Sequence, residues 1–182
     1  MSTRYKFHDQ SKLYFVSFAV VYWIDVFIRN EYRNIILTSL RFCQNRKGLD
    51  VYAWVIMTNH IHLIIGTHKN KLEDIMRDFK SHTSRELKKA IRNNIRESRK
   101  EWMMELMERA GTKNNNNKSF QFWQQDNHPI ELWDNYMLDQ KLEYLHNNPV
   151  VAGFVSFPED YLYSSARDYA GEKGLLNIIL IG

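Results

Sequence analysis

The chain is poor in the residues that cross-link or punctuate a fold. Its 182 residues include one cysteine, three prolines and seven glycines. The lone Cys43 excludes an internal disulfide framework and a four-thiolate zinc site, and it fits a reducing compartment. So few glycines and prolines argue against a loop-rich scaffold and for long regular elements. No apolar run approaches a membrane span, and the N-terminal MSTRYKFHDQ is polar, without a signal-type hydrophobic region. The expectation is a cytoplasmic protein with no membrane partner.

What is abundant is aromatic: ten Phe, ten Tyr and five Trp. An apolar fraction of 44% and a charged fraction of 25% are ordinary for a globular chain. The formal charge of +4 points only weakly to polyanions, so its distribution matters more than its sum. At this length one well-buried domain spanning 1–182 is expected.

Residues 12–21 (KLYFVSFAVV) read as a strand, being β-branched and aromatic with few breakers. Residues 31–46 carry Tyr32, Ile35, Ile36, Leu40 and Cys43 at helical spacing, and Lys47-Gly48 closes that helix. Two strands follow at 50–57 and 61–67, joined by Thr58-Asn59-His60 as an antiparallel hairpin. A long helical stretch runs from Leu72 to about Arg109, with a break near Asn93-Asn94, and 111–118 (GTKNNNNK) reads as an exposed loop. Phe120–Trp123 reads as a fourth strand. A helix over 134–147 should stop before Pro149, and a short helix is expected near 164–171. The order β-α-β-β-α-β-α predicts an α+β, ferredoxin-like (split βαβ) antiparallel sheet with an added C-terminal helix.

Two motifs carry chemistry. In NHIHLIIG, His60 and His62 flank one apolar residue, so on a strand both imidazoles face the same way and suit one divalent ion. A pair alone also fits a structural role on a sheet face, so a third ligand is the thing to seek. In KLEYLHNNPVV, Tyr144 and Asn148 are four apart and share a helical face. Asn148 could give its amide oxygen to an ion held by the histidines, placing Tyr144 one turn away. A phenol, with a pKa near 10, is a poor nucleophile unless assisted, and a metal-bound phosphodiester is such a partner. The rival reading has Tyr144 and Leu145 packing while Asn148 caps the helix. Tyr136 and Gln140 offer the same spacing and chemistry on the same helix. His146 should face away from any such site by helical rotation.

Arg85, Lys88, Lys89, Arg92, Arg96, Arg99 and Lys100 recur every three or four residues as a basic stripe, broken by Glu86 and Glu97. Such a stripe either neutralises phosphates or is a solvated helix face. Phe122, Trp123 and His128 could stack bases, although Phe and Trp on a strand more often fill a core.

The histidine strand followed by Y-L-H-N-N-P-V resembles the REP-associated tyrosine transposases of the one-tyrosine HUH family. The similarity runs from residue 12 to Tyr163-Ser164-Ser165. It implies a ferredoxin-like sheet with the tyrosine on a following helix, His60 and His62 as metal ligands, Asn148 as the third, and Tyr144 as the nucleophile. Glutamine ligands in related enzymes keep Tyr136-Gln140 in view; the position of Pro149 selects Tyr144. The resemblance implies Mg2+ or Mn2+ and no nucleotide cofactor. The implied partner is single-stranded or hairpin DNA of repetitive palindromic elements, cut through a 5′-phosphotyrosine bond by a nucleoid-associated monomer or homodimer. The span 85–118 looks like an insertion relative to shorter members, with Arg85, Lys88, Lys89, Arg92, Arg96, Trp123 and His128 as candidate DNA contacts. The alternative is a catalytically silent or domesticated nucleic-acid-binding protein of the same fold. Replication initiators and relaxases share the chemistry but are usually larger.

Overall fold

The computed structural model describes residues 7–113, 119–125 and 129–182. Strand β1, Leu13–Ala19, is followed by helix α1, Asn30–Lys47. Gly48 closes α1 in the left-handed region (φ 74°), its N–H donating to the Cys43 carbonyl. A Cβ there would lie 2.4 Å from the Cβ of Lys69, so glycine is required for both conformation and space. Strands β2, Leu49–Ile56, and β3, His60–Thr67, form the expected antiparallel hairpin. Helix α2, Leu72–Asn93, buries Leu72, Ile75, Met76, Phe79, Leu87 and Ile91, an apolar stripe at helical spacing.

The break near Asn93-Asn94 is real, and a buried carboxylate holds it. Glu97 is 1% exposed and accepts from Arg29 Nε at 2.7 Å and Arg99 Nε at 2.9 Å. Burial pushes its carboxyl up, but the hydrogen bonds from Arg99 and Arg29 outweigh that and bring it down to about 2. Helix α3, Lys100–Thr112, then runs through Gly111, which the sequence had suggested for the start of a loop. A Cβ on Gly111 would sit 2.2 Å from the Phe120 nitrogen, so the glycine admits a crossing chain. The asparagine run at 114–117 lies outside the described residues.

The fourth strand differs from expectation. Phe120–Trp123 makes only one isolated bridge, Trp123 to Val20, because the chain after Ala19 turns away at Tyr22 and Trp23. The strand that pairs with β1 is instead β4, Ile130–Leu132. The sheet order is β2-β3-β1-β4, with every neighbour antiparallel, the order of a ferredoxin-like sheet.

Helix α4, Asn135–Val151, starts on an Asp134 cap that accepts from the Met137 N–H. It does not stop before Pro149. The proline sits in its last turn, where only one ladder bond is lost, and the helix closes at Gly153 (φ 77°). Asn148 therefore stays helical, one turn beyond Tyr144. A short helix α5, Ala166–Tyr169, completes the elements.

Residue parity on β1 separates the two faces of the sheet. The Phe18 ring lies 6.0 Å from Phe79 of α2, and the Phe15 ring lies 6.0 Å from Tyr144 of α4. Phe15 and Phe18 are three apart on a strand and point oppositely, so α2 and α4 cover opposite faces. Among the described residues no helix is long and apolar enough to cross a membrane.

Candidate active site

His62 pairs with Ser17 across β1 and β3, so both side chains point toward α4. The hydroxyl of Ser17 lies 2.6 Å from His62 Nδ1, and the Phe15 ring stacks on the imidazole at 5.3 Å. His62 Nε2 is buried with no hydrogen-bond partner. A buried polar atom without a partner is rare and calls for a ligand. Burial, with the neighbouring charges of His60 and Lys141, holds this imidazole down to about 3.

His60 lies on the same face, its ring 4.7 Å from that of His62. Its Nδ1 is 2.7 Å from Asn59 Oδ1. The Asn59 amide nitrogen donates to the Trp23 carbonyl and to Asp25, which fixes the amide's orientation and leaves Oδ1 as an acceptor. The proton of neutral His60 is therefore on Nδ1 and the lone pair on Nε2. Burial lowers the His60 pKa; a hydrogen bond to the Asn148 side chain partly counters this. Both rings are neutral near pH 7, the form that ligates metals.

Helix α4 supplies the rest. The Tyr144 ring lies 5.4 Å from His62 and is half exposed. Lys141, one turn earlier, holds its ammonium 5.7 Å from the Tyr144 ring centroid. Gln140, Glu143, Tyr144, Asn147 and Asn148 line one open cavity of about 610 Å³ with His60, His62 and Trp23. His146 faces the other way, 2.9 Å from the Ser165 hydroxyl and packed on Tyr169, as helical rotation requires.

The structure thus brings His60, His62, Tyr144 and Asn148 together. Tyr136 is 77% exposed and does not line the cavity, whereas Gln140 does. The basic residues lie elsewhere. Arg85, Lys88, Lys89 and Arg92 ride on α2, across the sheet, with Arg92 paired to Glu108 and Lys88 over Phe120. Arg96 lies past the end of α2, and Arg99 turns inward to Glu97, so the stripe does not continue along one helix. Trp123 is 5% exposed and donates to Thr83, and Phe122 is buried, leaving neither with a face for a base. His128 lies outside the described residues.

Ser17, Asn59 and Trp23 join this cluster beyond the motif residues. Ser17 was findable as the one polar residue in LYFVSFA, set opposite a histidine once the register is known. The residues fit a divalent ion: an unpartnered imidazole nitrogen, a second nitrogen freed by its tautomer, and a carboxamide beside it. Among the described residues no three His, Cys, Asp or Glu side chains cluster to hold a metal, and the side chain beside the two imidazoles is the Asn148 carboxamide.

The family model for IS200-like transposases matches residues 12–140, which include the histidine strand and stop four residues before Tyr144. No curated protein matches the chain. A solved structure of a REP-associated tyrosine transposase bound to a REP hairpin is similar over 100% of this chain and 92% of that one. The TM-score is 0.63 and the identity 17%, a likeness of fold. With a family match over most of its length and this fold, the chain belongs to the IS200-like transposases, enzymes that act on DNA.

Proposed function

We propose that this transposase is a single-strand DNA endonuclease and strand-transferase in which Tyr144 is the nucleophile and His60, His62 and Asn148 hold a divalent ion. The observation that carries the reading is the convergence of those four side chains on one open cavity. Bound there, Mg2+ or Mn2+ would neutralise charge on the scissile phosphate. Ser17 and Asn59 orient the two imidazoles, and Lys141 offsets negative charge near the phenol. The Tyr144 oxygen attacks phosphorus, forming a 5′-phosphotyrosine bond as the bond to the 3′ oxygen breaks. The phenolic proton is lost to water in the cavity, and the departing 3′ oxygen gains one. A later 3′-hydroxyl reverses the exchange, so phosphodiester energy is kept and no nucleotide cofactor is used.

The substrate class follows from the relative of similar fold, which binds a REP hairpin. We assign the same class here: hairpin DNA flanked by unpaired bases. A second reading, a DNA-binding protein that does not cut, draws on the lack of a charged third ligand among the described residues. One experiment separates the two. A labelled hairpin oligonucleotide is incubated with magnesium and the parent chain, Tyr144→Phe or Tyr136→Phe. The parent and Tyr136→Phe should form a covalent adduct, while Tyr144→Phe should bind DNA and form none. An adduct that persists in Tyr144→Phe overturns the assignment; binding without any adduct favours the second reading.

A further inference from the structure

We propose that Trp23 is a base-stacking residue that seats an unpaired DNA base beside the phosphate attacked by Tyr144; this rests on the function proposed above. Among the described residues, Tyr22 (φ 54°) and Trp23 (φ 55°) are the only non-glycine residues in the left-handed region. Side chains with a Cβ disfavour that conformation, which persists only where its surroundings over-determine it. They do so here. The Val20 N–H donates to the Asn59 carbonyl, Val21 to Phe122, Phe27 to Thr58, and Arg99 to the Asp25 carbonyl. A turn needed only for its bend would be met by glycine or asparagine. This one spends its strained positions on two large aromatic rings.

Neither ring is used to fill the core, since Tyr22 is 48% and Trp23 56% exposed. The indole stands nearly perpendicular to the His60 ring at 5.9 Å and lines the cavity that holds Tyr144. Asn59 ties platform to site, accepting from His60 and donating to the Trp23 carbonyl through one amide. Trp133 and Tyr136 are also exposed but lie outside that cavity. A flat apolar ring, anchored at the mouth of a phosphodiester site and open to water, matches the π-face that every nucleobase presents. Recognition of this kind is indifferent to base identity and needs an unpaired base.

The test uses hairpin DNA with an unpaired flank carrying 2-aminopurine at one position at a time, bound in magnesium by Tyr144→Phe so that no bond is cut. One flank position should be quenched. The quench should vanish on adding Trp23→Gly or Trp23→Ala, and the affinity lost with them should return with Trp23→Phe, whose ring still stacks. Affinity for the flanked hairpin should fall about 5- to 100-fold in Trp23→Gly, with a blunt hairpin unaffected. Trp23→Gly suits the positive φ, so a loss there is not a folding defect, and its thermal midpoint reports this directly. Unchanged quenching and affinity, or an equal loss on both DNAs, would overturn the proposal. Adduct formation by the Tyr144-bearing parent reports separately on the function: an adduct with no Trp23 effect removes only the platform.

Discussion

Under α1 and α2 the sheet presents Val16, Phe18, Ile61, Leu63 and Ile65, all buried, and α2 answers with an apolar stripe along its length. Under α4 the same strands present Phe15, Ser17, His60 and His62, and of α4 only Leu145 and Pro149 are fully buried. One face is apolar throughout; the other, with Phe15 and Ile64 buried on it, adds Ser17 and two imidazoles beneath a half-exposed phenol. The pleat allows this division, because alternate residues of one strand can serve stability and chemistry without competing. It also explains why the imidazoles tolerate burial: the packed face holds the strands, and the site face need only orient them.

That contrast can be broken from either side, and the largest effect belongs to the packed face. Phe79→Ala should lower unfolding free energy by about 3–5 kcal/mol, measured by chemical denaturation. Tyr144→Phe, at a half-exposed position, should leave it nearly unchanged. Equal losses would mean that the two faces do not divide the labour.

Acid should act next, mainly through the site face and its helix. Burial holds His62 down to about 3 and His146 to about 4, against an ordinary value of 6.5. The unfolded chain therefore takes up protons first as pH falls. The stability these histidines contribute is complete above about pH 6.5 and is lost progressively toward pH 4 and then 3. Between pH 7 and 5 the loss should be about 2 kcal/mol for each of the two histidines, about 4 kcal/mol together, seen as a falling thermal midpoint. A flat profile would show that the rings protonate without strain in the folded state. The Glu97 carboxyl, at about 2 when folded, adds its own loss only below about pH 4.5.

The smallest effect is local. Ser17→Ala should weaken Mn2+ binding about tenfold, read by calorimetry, with little change in thermal midpoint. Unchanged Mn2+ affinity would remove the hydroxyl from the orienting role assigned to it.

Much of this architecture was legible because periodicity is a local signal. The strands of VYAWVI and HIHLII, the helix closed by Gly48 and the long helix from Leu72 each follow from patterns within a few residues. The features that escaped depend on distant partners. Nothing near Glu97 says that it will be buried between two arginines, one of them 68 residues away. Phe120–Trp123 has the composition of a strand, but the chain it would pair with bends at Tyr22 and Trp23. Pro149 looked like a stop, yet in the last turn it removes only one ladder bond, so the helix runs through it and keeps Asn148 helical. In the site, the motif residues were readable and their supports were not, since Ser17 meets His62 across 45 residues. The place of the basic residues was hidden for a related reason: spacing along a helix does not say which face of the sheet that helix will cover.

The central claim is that a phenol from α4 stands over two strand-borne imidazoles as the attacking group. Its most direct test is to trap the covalent complex on a hairpin oligonucleotide, digest the protein and map the modified peptide by mass spectrometry. A nucleotide phosphate is expected on Tyr144 alone; a modification on Tyr136, or on any residue outside the cavity, would rule out Tyr144 as the attacking group.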